Sequence, residues 1–258
     1  MTDPGLRPLM SGLLLLLSWV GLLGAEDRSG LSQRLDHANK LYEQGRYREA
    51  AAGYQALLDE QPGHPALQFN LGNAWFKSGD LGRAIAAYRL AQRSWPRDPS
   101  IRFNLAFARK QLPGLPPPQQ AAWEQAITTL TPNEWTVGAA IAFWLWMSLL
   151  ILRELFAGQR SRRPYLLATL LLMLLALAGL GLSLYQTHHT QEAVVVAANA
   201  SVRYGPLSES QMQFQLRDGA EVRILDRKQV QEESWFRVQD SNGRRGWIPE
   251  LDLLLLTH

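Results

Sequence analysis

Five histidines, His37, His64, His188, His189 and His258, carry the widest chemical range in this chain, and none stands in a recognisable motif with a nucleophile. The adjacent pair His188-His189, just beyond an apolar block, reads as solvated and interfacial rather than as a metal or pH site. The sequence holds no glycine-rich phosphate loop and no acidic metal cluster, so any ATPase acting with this chain is a separate polypeptide. It also has no cysteine, which excludes disulfides, thiolate metal sites and lipidation at cysteine. The net charge is only +3, and basic and acidic residues nearly balance in both polar regions, unlike a nucleic-acid-binding surface. No catalytic residue, cofactor or metal is therefore expected. What remains are groups that hold rather than transform, namely asparagine amides and aromatic rings at helical spacing.

These groups lie in a region that repeats. Gly45, Ala50, Tyr54 and Pro62 recur 34 residues later as Gly79, Ala84, Tyr88 and Pro96. Leu71-Gly72 and Trp75 complete the second copy, with Gln68 where a tryptophan is usual. A period of 34 with these residue types marks the tetratricopeptide repeat, two antiparallel helices per unit. Small residues (Ala38, Gly72, Ala50, Ala84) let the helices approach, Tyr54 and Tyr88 fill the space to the next unit, and Pro62 and Pro96 stop the second helix. Phe69-Asn70-Leu71 returns as Phe103-Asn104-Leu105 before Pro113 ends the pattern. The repeats are thus expected over 31–64 and 65–98, with a capping helix over 99–112.

In stacked repeats of this kind the first helix of each unit lines the concave surface. Its groove positions carry Leu35, Asn39, Tyr42, Phe69, Asn73, Phe76, Lys77, Phe103 and Phe107. An asparagine at Asn39 or Asn73 can clamp the backbone of an extended peptide, with Phe69, Phe76 and Phe103 offering apolar pockets. The competing role for such aromatics is packing between helices.

Three apolar blocks place the chain at a membrane. The first, Leu13 to Leu23 behind Arg7 and ahead of Leu-Gly-Ala, reads as a signal peptide over 1–25, either cleaved after Ala25 or kept as an anchor. The others, Trp135 to Leu152 and Tyr165 to Tyr185, run 18 and 21 residues without a charge, enough to cross ~30 Å of hydrocarbon as helices. The loop between them, 153–164, carries Arg153, Arg160, Arg162 and Arg163 against Glu154, so it is expected in the cytoplasm with both flanking domains outside. Gly138, Ala142, Gly179 and Ser183 have the spacing of a close helix–helix contact. With no ionisable residue inside either span, the hairpin reads as an anchor rather than a transport path.

Residues 113–134 form a linker, opening with the extended run Pro113-Gly114-Leu115-Pro116-Pro117-Pro118. A short amphipathic helix through Trp123, Ala126, Ile127 and Leu130 follows, suited to the membrane surface or to the repeats. After the second span, 191–257 changes to short alternating strands at Ala193–Ala197, Ala220–Leu225, Trp235–Val238 and Gly246–Ile248, with turns at Asp218-Gly219 and Ser241-Asn242-Gly243. A small five-stranded barrel is expected. Val202-Arg203-Tyr204-Gly205-Pro206, Ser234-Trp235-Phe236-Arg237-Val238 and Gly243-Arg244-Arg245-Gly246-Trp247-Ile248 resemble, in order and spacing, the strands of bacterial SH3-like domains. Such modules commonly bind cell-wall peptides or proteins, and Trp235 and Trp247 are its candidate binding surface.

The fold class is therefore multidomain: an all-α tetratricopeptide repeat domain, a two-helix transmembrane hairpin and an all-β SH3-like barrel. This order, with Asn70-Leu71-Gly72-Asn73-Ala74, Arg97-Asp98-Pro99, Asn104-Leu105-Ala106-Phe107-Ala108 and Asn133-Glu134-Trp135, resembles the BatE family of aerotolerance-operon proteins across essentially the whole chain. The resemblance implies a bacterial inner-membrane scaffold with both domains periplasmic. Its implied partners are membrane-anchored von Willebrand A domain proteins and a MoxR-type ATPase, and its implied role lies in aerotolerance or envelope stress. It carries no catalytic residues. A different function also suits these residues, a cell-wall sensor or anchor that binds peptidoglycan through the barrel.

Overall fold

The computed structural model describes residues 30–112, 126–127, 129–155, 163–189, 191–230 and 232–256. The expected signal peptide, the proline run, Trp123, and Arg160 and Arg162 lie outside the described residues.

Five helices build the repeat domain: α1 (residues 30–43), α2 (Tyr47–Glu60), α3 (Pro65–Ser78), α4 (Leu81–Ser94) and α5 (Pro99–Lys110). Local chemistry sets their ends. Pro65 and Pro99 occupy first-turn positions, where a missing N–H costs nothing. The Asp80 and Asp98 carboxylates accept from the backbone N–H groups of Arg83 and of Ser100 and Ile101. Gly79 ends α3 at φ +86°, a conformation that suits glycine. α2 and α4 both stop two residues before Pro62 and Pro96. Gly72 is required by packing, because a Cβ there would come within 2.6 Å of the Tyr88 ring. One apolar core joins Ala38, Leu41, Tyr54, Leu57, Leu67 and Leu71 across α1 to α3.

Helices α6 (Pro132–Leu155) and α7 (Arg163–His189) pack as an antiparallel pair that holds the two apolar spans, Pro132–Leu152 and Pro164–Tyr185. Ala139, Ala142 and Ser183 are buried at their seam, and Gly179 lies against the Trp135 ring. Ala142, Gly179 and Ser183 thus sit at the contact expected from the small-residue spacing. Gly138 does not: a Cβ there would meet nothing, and its neighbour Ala139 takes the buried place.

The C-terminal region is one antiparallel sheet of seven strands rather than five. They are β1 (Glu192–Val195), β2 (Asn199–Arg203), β3 (Met212–Arg217), β4 (Glu221–Val230), β5 (Glu233–Gln239), β6 (Arg245–Pro249) and β7 (Leu253–Leu255), in the order β3-β2-β6-β5-β4-β1-β7. β3 alternates Met212, Phe214 and Leu216 with polar residues, the period of a strand with one face covered. Gly219 and Gly243 make the two expected turns at φ +79° and +80°. Inside lie Val195, Val202, Leu216, Val222, Phe236, Val238 and Ile248.

The sheet does not stand apart from the repeats. β1 and β7 lie across α4, and Val194, Leu254 and Leu256 join Ala84, Ile85, Tyr88, Leu105 and Ala108 in a shared core. Repeats and barrel therefore occupy the same side of any bilayer the helix pair crosses. The helix pair gives a direct test: Gly179→Leu forces a branched side chain into the Trp135 ring and should destabilise the pair by about 1–3 kcal/mol. Thermal unfolding in detergent should show this loss, and Gly138→Leu, in open space, should not.

Candidate functional site

The two groove asparagines are built into the repeat framework. Asn39 Oδ1 accepts from the Tyr54 hydroxyl at 2.8 Å, and Asn73 Oδ1 accepts from the Tyr88 hydroxyl at the same distance. This bond repeats with the 34-residue period. Asn104 Nδ2 also donates to Asn73 Oδ1 at 2.9 Å, tying α5 to α3. Burial pushes the Tyr88 phenol up, so it remains a donor at every physiological pH. With its oxygen accepting two bonds, Asn73 has only its amide N–H to offer a ligand, whereas Asn39 Oδ1, accepting one, keeps a second lone pair as well.

The aromatic positions divide into core and surface. Tyr42 is half-buried, edge-on to Tyr47 at 5.2 Å, and packs on the first core. Phe69 is half-buried, 5.9 Å from the Tyr88 ring. Phe76, Phe107 and Phe103 instead form a continuous row, with ring centroids 5.6 and 6.2 Å apart and the last two rings stacked. Phe103 is 68% exposed and Phe107 44% exposed. Phe103 and Phe107 thus place two adjacent apolar rings in water on the face of α5 away from its buried residues Ile101, Leu105 and Ala108. Lys77 and Lys110, exposed, neighbour this row in sequence on α3 and α5.

On the opposite side of the repeats, where the sequence offered no candidate, a cluster of charges joins the two domains. Arg109 makes a bidentate pair with Glu221 at 2.7 and 2.8 Å, and Arg89 Nε lies 3.1 Å from the same carboxylate. Glu192 pairs with Arg89 and, at 3.4 Å, with Arg93, which also donates to the Leu256 carbonyl. At the far end of α4, the Asp218 carboxylate accepts from the Gly82 N–H at 3.0 Å, so a barrel side chain caps a repeat helix. A Cβ on Gly82 would come within 2.6 Å of the Val195 carbonyl, so only glycine admits this approach. Burial raises the Glu192 pKa, but Arg89 and Arg93 outweigh it and hold the group below the ordinary carboxylate range. Asp218 is held above its ordinary value by desolvation, with the Asp80 charge adding to the effect.

In the barrel the two expected tryptophans are buried. Trp235 and Trp247 are 2% and 8% exposed, so they do not form an open binding face. Strand pairing sets Trp235 opposite Lys228 and Trp247 opposite Arg237, and the Lys228 ammonium lies 5.4 Å from the Trp247 ring centroid. Among the exposed apolar residues of this region, two share the loop between β2 and β3, where Tyr204 is 64% and Leu207 43% exposed, while Met212, Leu225 and Leu251 are scattered elsewhere. That loop is held shut by the Tyr204 N–H donating to the Gln211 carbonyl at 3.2 Å and by Arg203 donating to the Ser210 carbonyl at 2.6 Å. Tyr204 adjoins the Gly205-Pro206 turn signal, the cue that marks it in the sequence.

Of the histidines, His64 caps α3, its Nδ1 accepting from the Leu67 N–H at 3.4 Å, and His37 is exposed. His258 lies outside the described residues. Among the described residues no three His, Asp or Glu side chains gather as a metal site.

Residues 35–99 match a tetratricopeptide repeat family, and residues 198–253 match a bacterial SH3 domain family. Both are interaction modules. No curated protein matches the chain.

The domain junction makes two predictions. Glu221→Ala leaves the half-buried Arg109 without its anion and Arg89 with Glu192 alone, and should cost about 2 kcal/mol in denaturant unfolding. Because the folded pKa of Glu192 lies below its ordinary 4.5, its stabilisation is present above that value and lost as pH falls through the lower one. Asp218, shifted upward, acts in the opposite sense and is relieved by acid. Glu192→Gln should therefore flatten the acid-side loss of thermal stability, whereas Asp218→Asn should leave that loss in place.

Proposed function

We propose that this protein is a membrane-anchored scaffold that holds other envelope proteins through the first-helix face of its repeats. The observation that carries this reading is the pair of exposed rings Phe103 and Phe107, continued inward by the half-buried Phe76, in a domain whose family binds proteins. The barrel covers the α4 side and leaves this row open. Asn73 and Asn39 contribute by holding the helices in register, and their amide N–H groups complete the groove beside Tyr42 and Phe69.

The two apolar helices support an inner-membrane anchor, and the arginine-rich loop between them supports a cytoplasmic turn with both domains in the periplasm. The arrangement of repeats, helix pair and barrel agrees with the BatE resemblance. On that basis the partners are von Willebrand A domain membrane proteins working with a MoxR-type ATPase, in aerotolerance or envelope stress. The test is copurification of full-length protein from crosslinked membranes. Von Willebrand A domain proteins should accompany the parent and be lost with Phe103→Ser, Phe107→Ser, which alters exposed rings without touching the core.

A second reading rests on the bacterial SH3 match and on the exposed Tyr204 and Leu207. In it the barrel binds peptidoglycan and the protein anchors or senses the cell wall. Full-length protein in detergent should then cosediment with purified sacculi, and Tyr204→Ala should abolish this while Phe103→Ser does not.

A further inference from the structure

Two contacts, far apart in sequence, show which end of the repeats lies next to the apolar helices. Arg97, in the turn between α4 and α5, pairs with Glu134, one residue before Trp135 in the first turn of α6. Arg93, in the last turn of α4, pairs with Glu192, three residues beyond the end of α7 at His189. The first contact ties this end of α4 to the start of one span, and the second ties it to the exit of the other. α4 therefore points its C-terminal end at the bilayer surface. Its N-terminal end, where Asp218 meets Gly82, lies about 20 Å away, the length of 14 helical residues.

The turn at that lower end carries an exposed tryptophan. Trp95 is 46% exposed although it sits two residues from Arg97. The preceding α2–α3 turn lies beside it, with the Ser94 hydroxyl donating to the Gly63 carbonyl at 3.5 Å. Its exposed members include Gln61, Pro62 and His64. A tryptophan whose apolar ring faces outward at the level of a span's first turn has the surroundings for which indole is best suited, a headgroup layer that is wet on one side and apolar on the other.

We infer that the Trp95 turn, with the neighbouring α2–α3 turn, rests in the lipid headgroup layer and forms a second, interfacial membrane contact of the repeat domain. This inference depends on the hairpin spanning a bilayer, the reading given above. It sets the repeat helices near the membrane normal and puts the opposite turn, at Gly79, well above the surface. An exposed Trp95 then has a lipid occupant, not a protein one.

The absence of native cysteine allows a direct measurement. Single cysteines at Gln61→Cys, Trp95→Cys, Gly79→Cys and Ile141→Cys, each in the full chain, are labelled with an environment-sensitive fluorophore. They are then reconstituted in phosphatidylcholine vesicles that carry a nitroxide on either the headgroup or the acyl chain. Residue 61 reports on the surface with Trp95 itself intact. The expected result is loss of most emission at 61 and 95 with the headgroup nitroxide, none at 79, and loss at 141 with the acyl nitroxide. If 141 is quenched while 61 and 95 stay as bright as 79, the turn stands in water or against a protein and the inference falls, with the hairpin reading intact. If 141 is also unquenched, the hairpin does not span the bilayer and both fall.

Discussion

The architecture depends on the seam where α4 meets β1 and β7. It combines apolar contact, Ile85 and Tyr88 sharing a core with Val194 and Leu256, with arginines set against two carboxylates. Each part needs the other. Glu221, at 8% side-chain exposure, would be costly to bury without Arg89 and Arg109, and the guanidinium groups would be costly without it. The apolar residues supply the driving force, and the charges set the register in which the two surfaces meet. Remove the seam and the barrel would be joined to the repeats only through the hairpin.

That seam also accounts for the distribution of free surface. The second helix of the second repeat, α4, is occupied by the barrel, which leaves the first-helix side uncovered by it. There the same 34-residue period that positions Tyr54 and Tyr88 spends the asparagine oxygens on internal bonds, while Phe103 and Phe107 stay outside. Among the described residues no further repeat unit follows α5. Its aromatic face is the one on which the proposed function rests.

The barrel has adapted to this position. β1 buries Ala193, Val194 and Val195 in succession, with Val194 turned to the repeats and its neighbours to the barrel interior. β7 and the residue after it divide in the same way, Leu253 and Leu255 inward and Leu254 and Leu256 toward α4. A strand covered on both faces loses the alternation of a solvated one. The runs Val194-Val195-Val196 and Leu253-Leu254-Leu255-Leu256 are the sequence trace of the docking.

Much of the fold was legible in the residues because its signals are local. The helix pairs follow from a fixed period with glycine and proline at the ends, the apolar spans from unbroken runs without charge, and the hairpin turns from Asp218-Gly219 and Ser241-Asn242-Gly243. Phe103 and Phe107 could be proposed as groove residues by counting positions within a repeat, and the structure places both on the exposed face of α5. Which aromatics would face water could not be counted, since Phe69 and Trp235 differ from Phe103 only in what packs over them. The charge pairs were equally hidden, because Arg89 and Glu192 lie 103 residues apart and Arg109 and Glu221 lie 112 apart. Periodicity along a chain determines which elements form and which face of each is apolar. Only the tertiary structure decides which of those faces meet, because that choice is made by complementary shape and charge between surfaces that share no sequence neighbourhood.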